Sequence, residues 1–322
     1  MSKSILVTGI GGVVGQGILR NVKSEFPDIR LIGTNTVFVS AGNHLCDEVY
    51  KVPFGDSEDY ISEISRIAEL ENINLIIPAT DLEAYHLGKN QEILNVNVAI
   101  SSPDLTGLSL DKWKTYQRLS TLKIPFAQSF LPGQYKGELD QVVVKPRSGR
   151  GSRDIHINPI NPSGFSNDFV IQEYLEGLEI TTTFYVTRRG DLHGFITFIR
   201  ELDAGNTSKA EVTFEFNSEL ESIILQLIKN FDCRGSINLQ SKVTKKGIIP
   251  FEINSRISGT NSLRPHFGFK DVRYTVQEWL FKTEPDTPEV RPGCAMRVIH
   301  DIIYPDISLA EIKNNKDNFR LQ

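Results

Sequence analysis

The sequence is poor in the features that usually announce a protein's class. Only three cysteines occur in 322 residues, Cys46, Cys233 and Cys294. They are far apart and form no CxxC, which excludes a disulfide framework and a zinc knuckle. No apolar run approaches the ~18 residues needed to cross a bilayer, so no membrane span is expected. A basic surplus is also missing: the formal net charge is -5, which argues against a dedicated nucleic-acid binder. The N-terminal MSKSILVTGIGG lacks the apolar stretch and cleavage site of a signal peptide, so a cytoplasmic protein is expected. The six histidines show no metal-ligand spacing, and no GxxxxGK[ST] phosphate loop exists.

What is present suffices for a packed core: 39% of residues are hydrophobic and 23% charged. At roughly 150 residues per domain, the length predicts two domains. The first hundred residues alternate short apolar runs with helical periodicity. Strands are expected at Ile5–Thr8, Arg30–Gly33, Val49–Val52, Ile73–Ile77 and Val96–Ile100. Helices are expected at Gly15–Lys23, from Tyr60 behind an Asp56 or Ser57 cap, and at Asp81–Leu94. This alternation predicts βαβ units and a parallel sheet. Pro, Gly and Ser cluster at Ser101–Ser109, which reads as a boundary. Beyond it Asp111 caps a helix over Lys112–Leu122, and strands with short turns follow, as in antiparallel sheets. The helix Ser218–Phe231 interrupts them, and Ala295–His300 rejoins a sheet.

Three segments carry chemistry. Thr8–Gly15 follows a strand and opens a helix, matching TGxxGxxG, and Tyr85 and Lys89 form a YxxxK pair. Together they permit an NAD(P)-dependent reductase or epimerase. However, strand two ends in Leu31-Ile32-Gly33-Thr34-Asn35, with no carboxylate for a ribose hydroxyl. The alternative is a tight strand–helix turn that holds no cofactor. The second segment is a strand ending in Lys145-Pro146 before Arg147-Ser148-Gly149-Arg150-Gly151-Ser152-Arg153. Its glycines free backbone N–H groups and its cations raise the potential, which suits a triphosphate or, equally, a solvated basic loop.

The third segment is Gly235–Asn254. Lys245-Lys246-Gly247 reads as a three-residue hairpin loop. With Thr244 paired to Ile248, Gln240 lies opposite Glu252 and Asn238 opposite Asn254, all four on one face. Ile237, Leu239, Ile249, Phe251 and Ile253 take the other. One carboxylate with amide oxygens suits magnesium bound together with nucleotide phosphates.

In this order the motifs resemble the ATP-grasp superfamily: a Gly-rich α/β unit, Asp111-Lys112, Lys145-Pro146 before a Gly-rich loop, Gln172-Glu173-Tyr174-Leu175-Glu176-Gly177-Leu178-Glu179, and Gln240 with Glu252-Ile253-Asn254-Ser255-Arg256. Most similar are one synthetase half of the carbamoyl-phosphate synthase large subunit and the related stand-alone carboxylate–amine ligases. The resemblance implies a Rossmann-like pre-ATP-grasp α/β domain at 1–108 and an α+β ATP-grasp domain with antiparallel sheets at 109–282. The latter divides into lobes of about 109–175 and 176–282, and a C-terminal extension covers 283–322. It implies ATP and Mg2+, with Mn2+ as a substitute ion. Lys112, Lys145, Ser148, Gly149 and Gly151 would hold phosphates. Glu173, Tyr174 and Leu175 would meet adenine, and Glu179 the ribose. Gln240, Glu252 and Asn254 would ligate the metal, and Arg256 would stabilise the transferring phosphoryl group. Arg256 and Arg264 are the candidate catalytic residues, Arg264 gripping substrate oxygens. Lys209 is a further cation placed to reach phosphates on loop closure.

The expected reaction is activation of a carboxylate, or a bicarbonate-like substrate, as an acyl phosphate for attack by an amine. A non-catalytic nucleotide-binding regulatory protein is a third reading. Small-molecule substrates are the expected partners, with a homodimer as the family expectation.

Overall fold

The computed structural model describes residues 3–149 and 154–322. A five-stranded parallel sheet comes first, built from β1 (Ser4–Val7), β2 (Arg30–Asn35), β3 (Glu48–Lys51), β4 (Leu75–Ile77) and β5 (Asn97–Val98). Its spatial order is β3-β2-β1-β4-β5. Helices α1 (Val13–Glu25), α2 (Tyr60–Leu70), α3 (Asp81–Lys89) and α4 (Gln91–Leu94) connect the strands. Strands buried on both faces read as continuous apolar runs, which is why Ile5-Leu6-Val7 and Leu75-Ile76-Ile77 were legible. The single helix expected over Asp81–Leu94 breaks into α3 and α4 at Asn90. Helix α2 starts behind Asp59, with no side-chain cap from Asp56 or Ser57.

The stretch at Ser101–Ser109, read as a boundary, is largely helical. It forms α5 (Pro103–Leu110), with the Ser102 hydroxyl accepting from the Leu105 N–H and Pro103 in the first turn. Proline there loses nothing, because the first N–H groups of a helix have no intrahelical partner. Helix α6 (Lys112–Thr121) follows, and the Asp111 carboxylate caps it by accepting from Trp113 and Lys114.

A four-stranded sheet, ordered β6-β9-β7-β8, comprises β6 (Ser129–Phe130), β7 (Val142–Pro146), β8 (His156–Ile157) and β9 (Phe169–Glu173). A six-stranded antiparallel sheet contains β10 (Leu178–Val186), β11 (Leu192–Asp203), β12 (Asn206–Thr213), β13 (Gly235–Thr244), β14 (Gly247–Asn254) and β15 (Cys294–Met296). Its order is β14-β13-β10-β11-β12-β15. Helix α7 (Asn217–Asn230) buries Leu220, Ile223, Ile224 and Leu227 under that sheet. Residues 174–177 link the two sheets.

Strand β12 was not expected. Asn206-Thr207-Ser208-Lys209 has little apolar alternation, yet it pairs with β11 along its length. Lys209 lies on this strand, exposed and paired with Glu201 rather than on a mobile loop. After β14 the chain runs into α8 (Asp271–Thr275) and a π-helical turn, Val276–Phe281. Ile257, Val272, Val276, Trp279 and Leu280 enter one core with Ile5, Ile18, Leu19 and Leu75 of the first sheet. A small final hairpin joins β16 (Ile302–Ile303) to β17 (Arg320–Leu321). No helix among the described residues is long and apolar enough to cross a membrane.

Candidate active site

The hairpin β13–β14 presents its polar side chains as pairs: Gln240 opposite Glu252 and Asn238 opposite Asn254. The route to that pairing differs from the expectation. Thr244 pairs with Gly247, not Ile248, and the register shifts between Gln240 and Ser241, leaving Phe251 as the extra residue. Such a bulge puts two consecutive side chains on the same side. Phe251 therefore leaves the apolar face assigned to it, and its ring centre lies 5.2 Å from the Lys145 ammonium. Ile248 takes the core position expected of Ile249.

A continuous set of contacts spans the polar face. Arg200 Nη2 donates to Glu179 Oε1 at 2.9 Å and to Gln240 Oε1 at 2.6 Å. Gln240 Nε2 donates to Asn254 Oδ1 at 3.3 Å, and Asn254 Nδ2 to Glu252 Oε1 at 3.1 Å. Lys242 Nζ lies 3.2 Å from Glu179 Oε2. Beneath this row, Asn238 Oδ1 accepts from Thr181, Thr183 and Ser258. Arg200 was not anticipated, because its side depends on the β10–β11 register. Lys242 was readable, being two residues from Gln240 on the same face.

Two lysines close over the row. Strand β7 delivers Lys145. Helix α6 delivers Lys112, whose position is fixed by the Asp111 cap and by its N–H donating to the Arg147 carbonyl at 3.1 Å. Arg147 forks onto Asp111, so its charge is spent on holding this corner together. Lys112 and Lys145 are both buried, and among the described residues neither has an ion pair or side-chain hydrogen bond. Burial pushes the Lys145 ammonium down to about 8, Glu252 and Glu179 opposing the fall and Lys112 adding to it. Burial by itself pushes the Glu252 carboxyl up. Lys112, Lys145, the Asn254 amide and Arg256 outweigh it and hold Glu252 below the usual carboxylate range.

The remaining candidates divide. Ser148 and Gly149 are exposed at the end of β7, while Gly151, with Arg150, Ser152 and Arg153, lies outside the described residues. Glu173 ends β9, and Tyr174 and Leu175 form the link between the sheets. Arg256 lies two residues past the end of β14 and binds Asp81 through Nη2 at 2.7 Å. Arg264 departs from expectation. It is fully buried, with Asp271 receiving Nε at 3.1 Å and Nη2 at 2.6 Å. Its Nη1 donates to Thr183, Ser258 and Thr260. Occupied in this way, the guanidinium braces the floor of the site and offers substrate nothing.

Gly9, Gly15 and Gly17 serve a tight turn and close packing, a Cβ at Gly15 falling 2.6 Å from the Gly9 carbonyl oxygen. Gly9 takes a positive φ of 57° in the turn before α1. At Gly17 a Cβ would fall 1.7 Å from Asn261 Oδ1, so α1 lies directly on the segment after β14. Asn261 Nδ2 donates to the Val14 carbonyl, and Asn21 Nδ2 to the Asn261 carbonyl. Tyr85 packs over Gly107 of α5.

Among the described residues no group of three or more His, Cys, Asp or Glu is arranged to hold a metal. The donor set here is one carboxylate with two amides, beside two buried cations that, among the described residues, share the single nearby charge of Glu252 and make no direct ion pair. That chemistry fits a divalent ion that takes most of its ligands from a polyphosphate.

Comparison with known proteins agrees. A profile described as ATP-grasp domain matches residues 109–260, and one described as PylC-like, N-terminal domain matches residues 5–100. No curated protein matches in sequence. Among solved structures, N5-carboxyaminoimidazole synthetase from Staphylococcus aureus, complexed with ADP, superposes with a TM-score of 0.75 at 14% identity, over 92% of this chain and 82% of that one. L-amino acid ligase from Bacillus licheniformis gives 0.71 at 12% identity, over 90% and 77%. The biotin carboxylase domain of Hydrogenobacter thermophilus 2-oxoglutarate carboxylase, a dimer with MgADP and bicarbonate, gives 0.69 at 15%, over 91% and 73%.

Proposed function

We propose that this chain, which belongs to the ATP-grasp superfamily, is an ATP- and magnesium-dependent ligase that joins a carboxylate, or bicarbonate, to an amine. The observation that carries this reading is that Lys112 and Lys145 are both buried, make no ion pair or side-chain hydrogen bond among the described residues, and have the one carboxylate of Glu252 between two positive charges. Burying a charge without a partner is costly, so the pair is best explained by an anion that completes it.

Lys112, Lys145 and the backbone around Ser148 and Gly149 would hold the phosphates of ATP. Glu173, Tyr174 and Leu175 would take adenine, and Glu179 the ribose. Gln240, Glu252 and Asn254 would hold magnesium, which neutralises phosphate charge. A substrate carboxylate oxygen attacks the γ-phosphorus, and the bond to the β-phosphate oxygen breaks, releasing ADP. The amine nitrogen then bonds to the acyl carbon and loses a proton, while phosphate leaves with the C–O electron pair. The protein's share is positioning and electrostatics: Arg256 faces charge that develops on the transferred group.

The likeness to a carbamoyl-phosphate synthase half would become literal only if bicarbonate were the first substrate. A homodimer is proposed by analogy with the biotin carboxylase domain, which was solved as one. The reductase reading gains nothing from the structure, since Gly9 and Gly15 are used in making the tight strand–helix turn and Tyr85 packs on α5.

Thermal melting tests the proposal. MgATP should raise the midpoint by linkage and NAD(P)H should not. Glu252→Gln should keep the fold and lose magnesium-dependent ADP release across a panel of carboxylates and amines. Stabilisation by NAD(P)H alone, or a fully active Glu252→Gln, would refute it.

A further inference from the structure

The site has a second wall, formed by the N-terminal unit. The order β3-β2-β1-β4-β5 reverses direction between β1 and β4, and Pro78-Ala79-Thr80-Asp81 leaves the carboxyl end of β4 at that reversal. In open α/β sheets this crevice is where ligands bind. Asp81 crosses it to meet Arg256, the residue just past the metal-site strand.

The contact between them is incomplete. Arg256 Nη2 donates to Asp81 Oδ2 at 2.7 Å, and Nη1 donates to the Ile257 carbonyl at 3.1 Å. Arg256 Nε and Asp81 Oδ1 are both buried and have no hydrogen-bond partner among the described residues. A guanidinium and a carboxylate in contact commonly fork through two parallel bonds. Here one bond forms, and a donor and an acceptor are left over on the same pair. Leaving a buried polar atom unsatisfied is costly, so this geometry suits a pair that receives further partners.

The surrounding charge says which partner Asp81 takes. Lys112, Lys145 and Arg256 all act on Glu252, whose carboxylate faces the metal position. Glu179 is matched by Arg200 and Lys242. A cation approaching the acyl group meets repulsion from Lys112, Lys145 and Arg256, while Asp81 offers a carboxylate oxygen that has no donor on it among the described residues. Resting on the ligase reading above, we propose that Asp81 selects and orients the second substrate as a protonated amine. Oδ1 accepts from the ammonium while Oδ2 stays on Arg256, and transfer of one ammonium proton to Oδ1 frees the nitrogen lone pair for attack on the acyl carbon. Asp81 thus places the amine beside the arginine that faces the transferred phosphoryl group, and recognition of the cation falls to the N-terminal unit.

The test is saturation-transfer NMR on the full chain loaded with MgADP. The probes are ethylamine, L-alanine and L-lysine, with ethanol and lactate as uncharged or ammonium-free counterparts. At about 20 mM probe, wild type should bind at least one amine in preference to its counterpart, and Asp81→Asn should weaken it about tenfold or more, a loss of about 1.4 kcal/mol. Asp81→Glu should keep part of the affinity. In both variants the thermal shift given by MgATP should stay within about 1 °C of wild type, which shows that the phosphate side is intact. Equal amine binding by wild type and Asp81→Asn overturns the assignment, as does absence of amine binding to wild type. If MgATP fails to stabilise wild type, the ligase reading falls first. If MgATP stabilises every variant and amine affinity ignores Asp81, only the present inference falls.

Discussion

Lys145 is the residue at which folding and function pull in opposite directions. Burial lowers its ammonium from 10.5 to about 8. Below pH 8 the native state holds a buried charge that the unfolded chain keeps in water, so the full penalty is present. Between about 8 and 10.5 the native group has shed its proton while the unfolded one retains it, and stability rises with pH. At neutral pH the shift corresponds to about 3 kcal/mol against the fold. Lys145→Met removes that penalty but takes a counter-charge from Glu252, so the expected net gain at pH 7 is about 1–2 kcal/mol. Melting without nucleotide should show a midpoint higher by several degrees, and the MgATP-induced shift should vanish. A variant less stable than wild type at neutral pH would contradict the account. Arg264 is the converse case. Sequence alone placed it near the site but could not tell a guanidinium that meets substrate from one that five donor contacts have already saturated.

At the scale of elements, legibility followed the strength of local patterning. The polar face of β13–β14 was readable because period-2 alternation survives any turn that returns the chain in register. The bulge at Phe251 was not, since one added residue is invisible until both strands are paired. It turned an expected core residue into a neighbour of Lys145. Helix α5 was hidden because Pro103 and Gly107 are loop signals anywhere except at the first turn and against a partner ring. Asp81 escaped notice because nothing local marks it; only the strand order gives it a place. The contact between α1 and the segment after β14 is open to direct challenge. In Gly17→Ala the new methyl has to displace Asn261 Oδ1, which belongs to a fully buried side chain. Overpacking of this kind costs about 1–3 kcal/mol, more than the gain of alanine over glycine in a helix. Urea denaturation should therefore show Gly17→Ala destabilised, and Gly17→Ala combined with Asn261→Ala should recover part of the loss. If the single variant gains stability, helix propensity outweighs contact and the packing account is wrong.

Across the whole molecule, chain order and spatial order part company. The first sheet's core is completed by residues 257–280, and its outer edge is covered by the last thirty residues or so. Asn43 Nδ2 donates to the Lys313 carbonyl, Asn315 N–H to the Cys46 carbonyl and Asn315 Nδ2 to Asp47. Phe319 packs edge-on against His44, with ring centres 5.2 Å apart. The thiols report on this arrangement. Cys294 is exposed, whereas burial pushes Cys46 and Cys233 up to about 12. Because the thiolate is the reactive form, a native sample should show one thiol that reacts quickly with a disulfide reagent and two that wait for unfolding. Ending the chain after Val298 keeps Cys294 and β15 but removes every contact just described. Cys46 should then react at a rate set by local opening of the first unit, while Cys233 stays protected in the separate core under the six-stranded sheet. Were Cys46 to remain as slow as Cys233 in the shortened chain, the C-terminal segment would be an appendage, and the first unit would hold its shape without it.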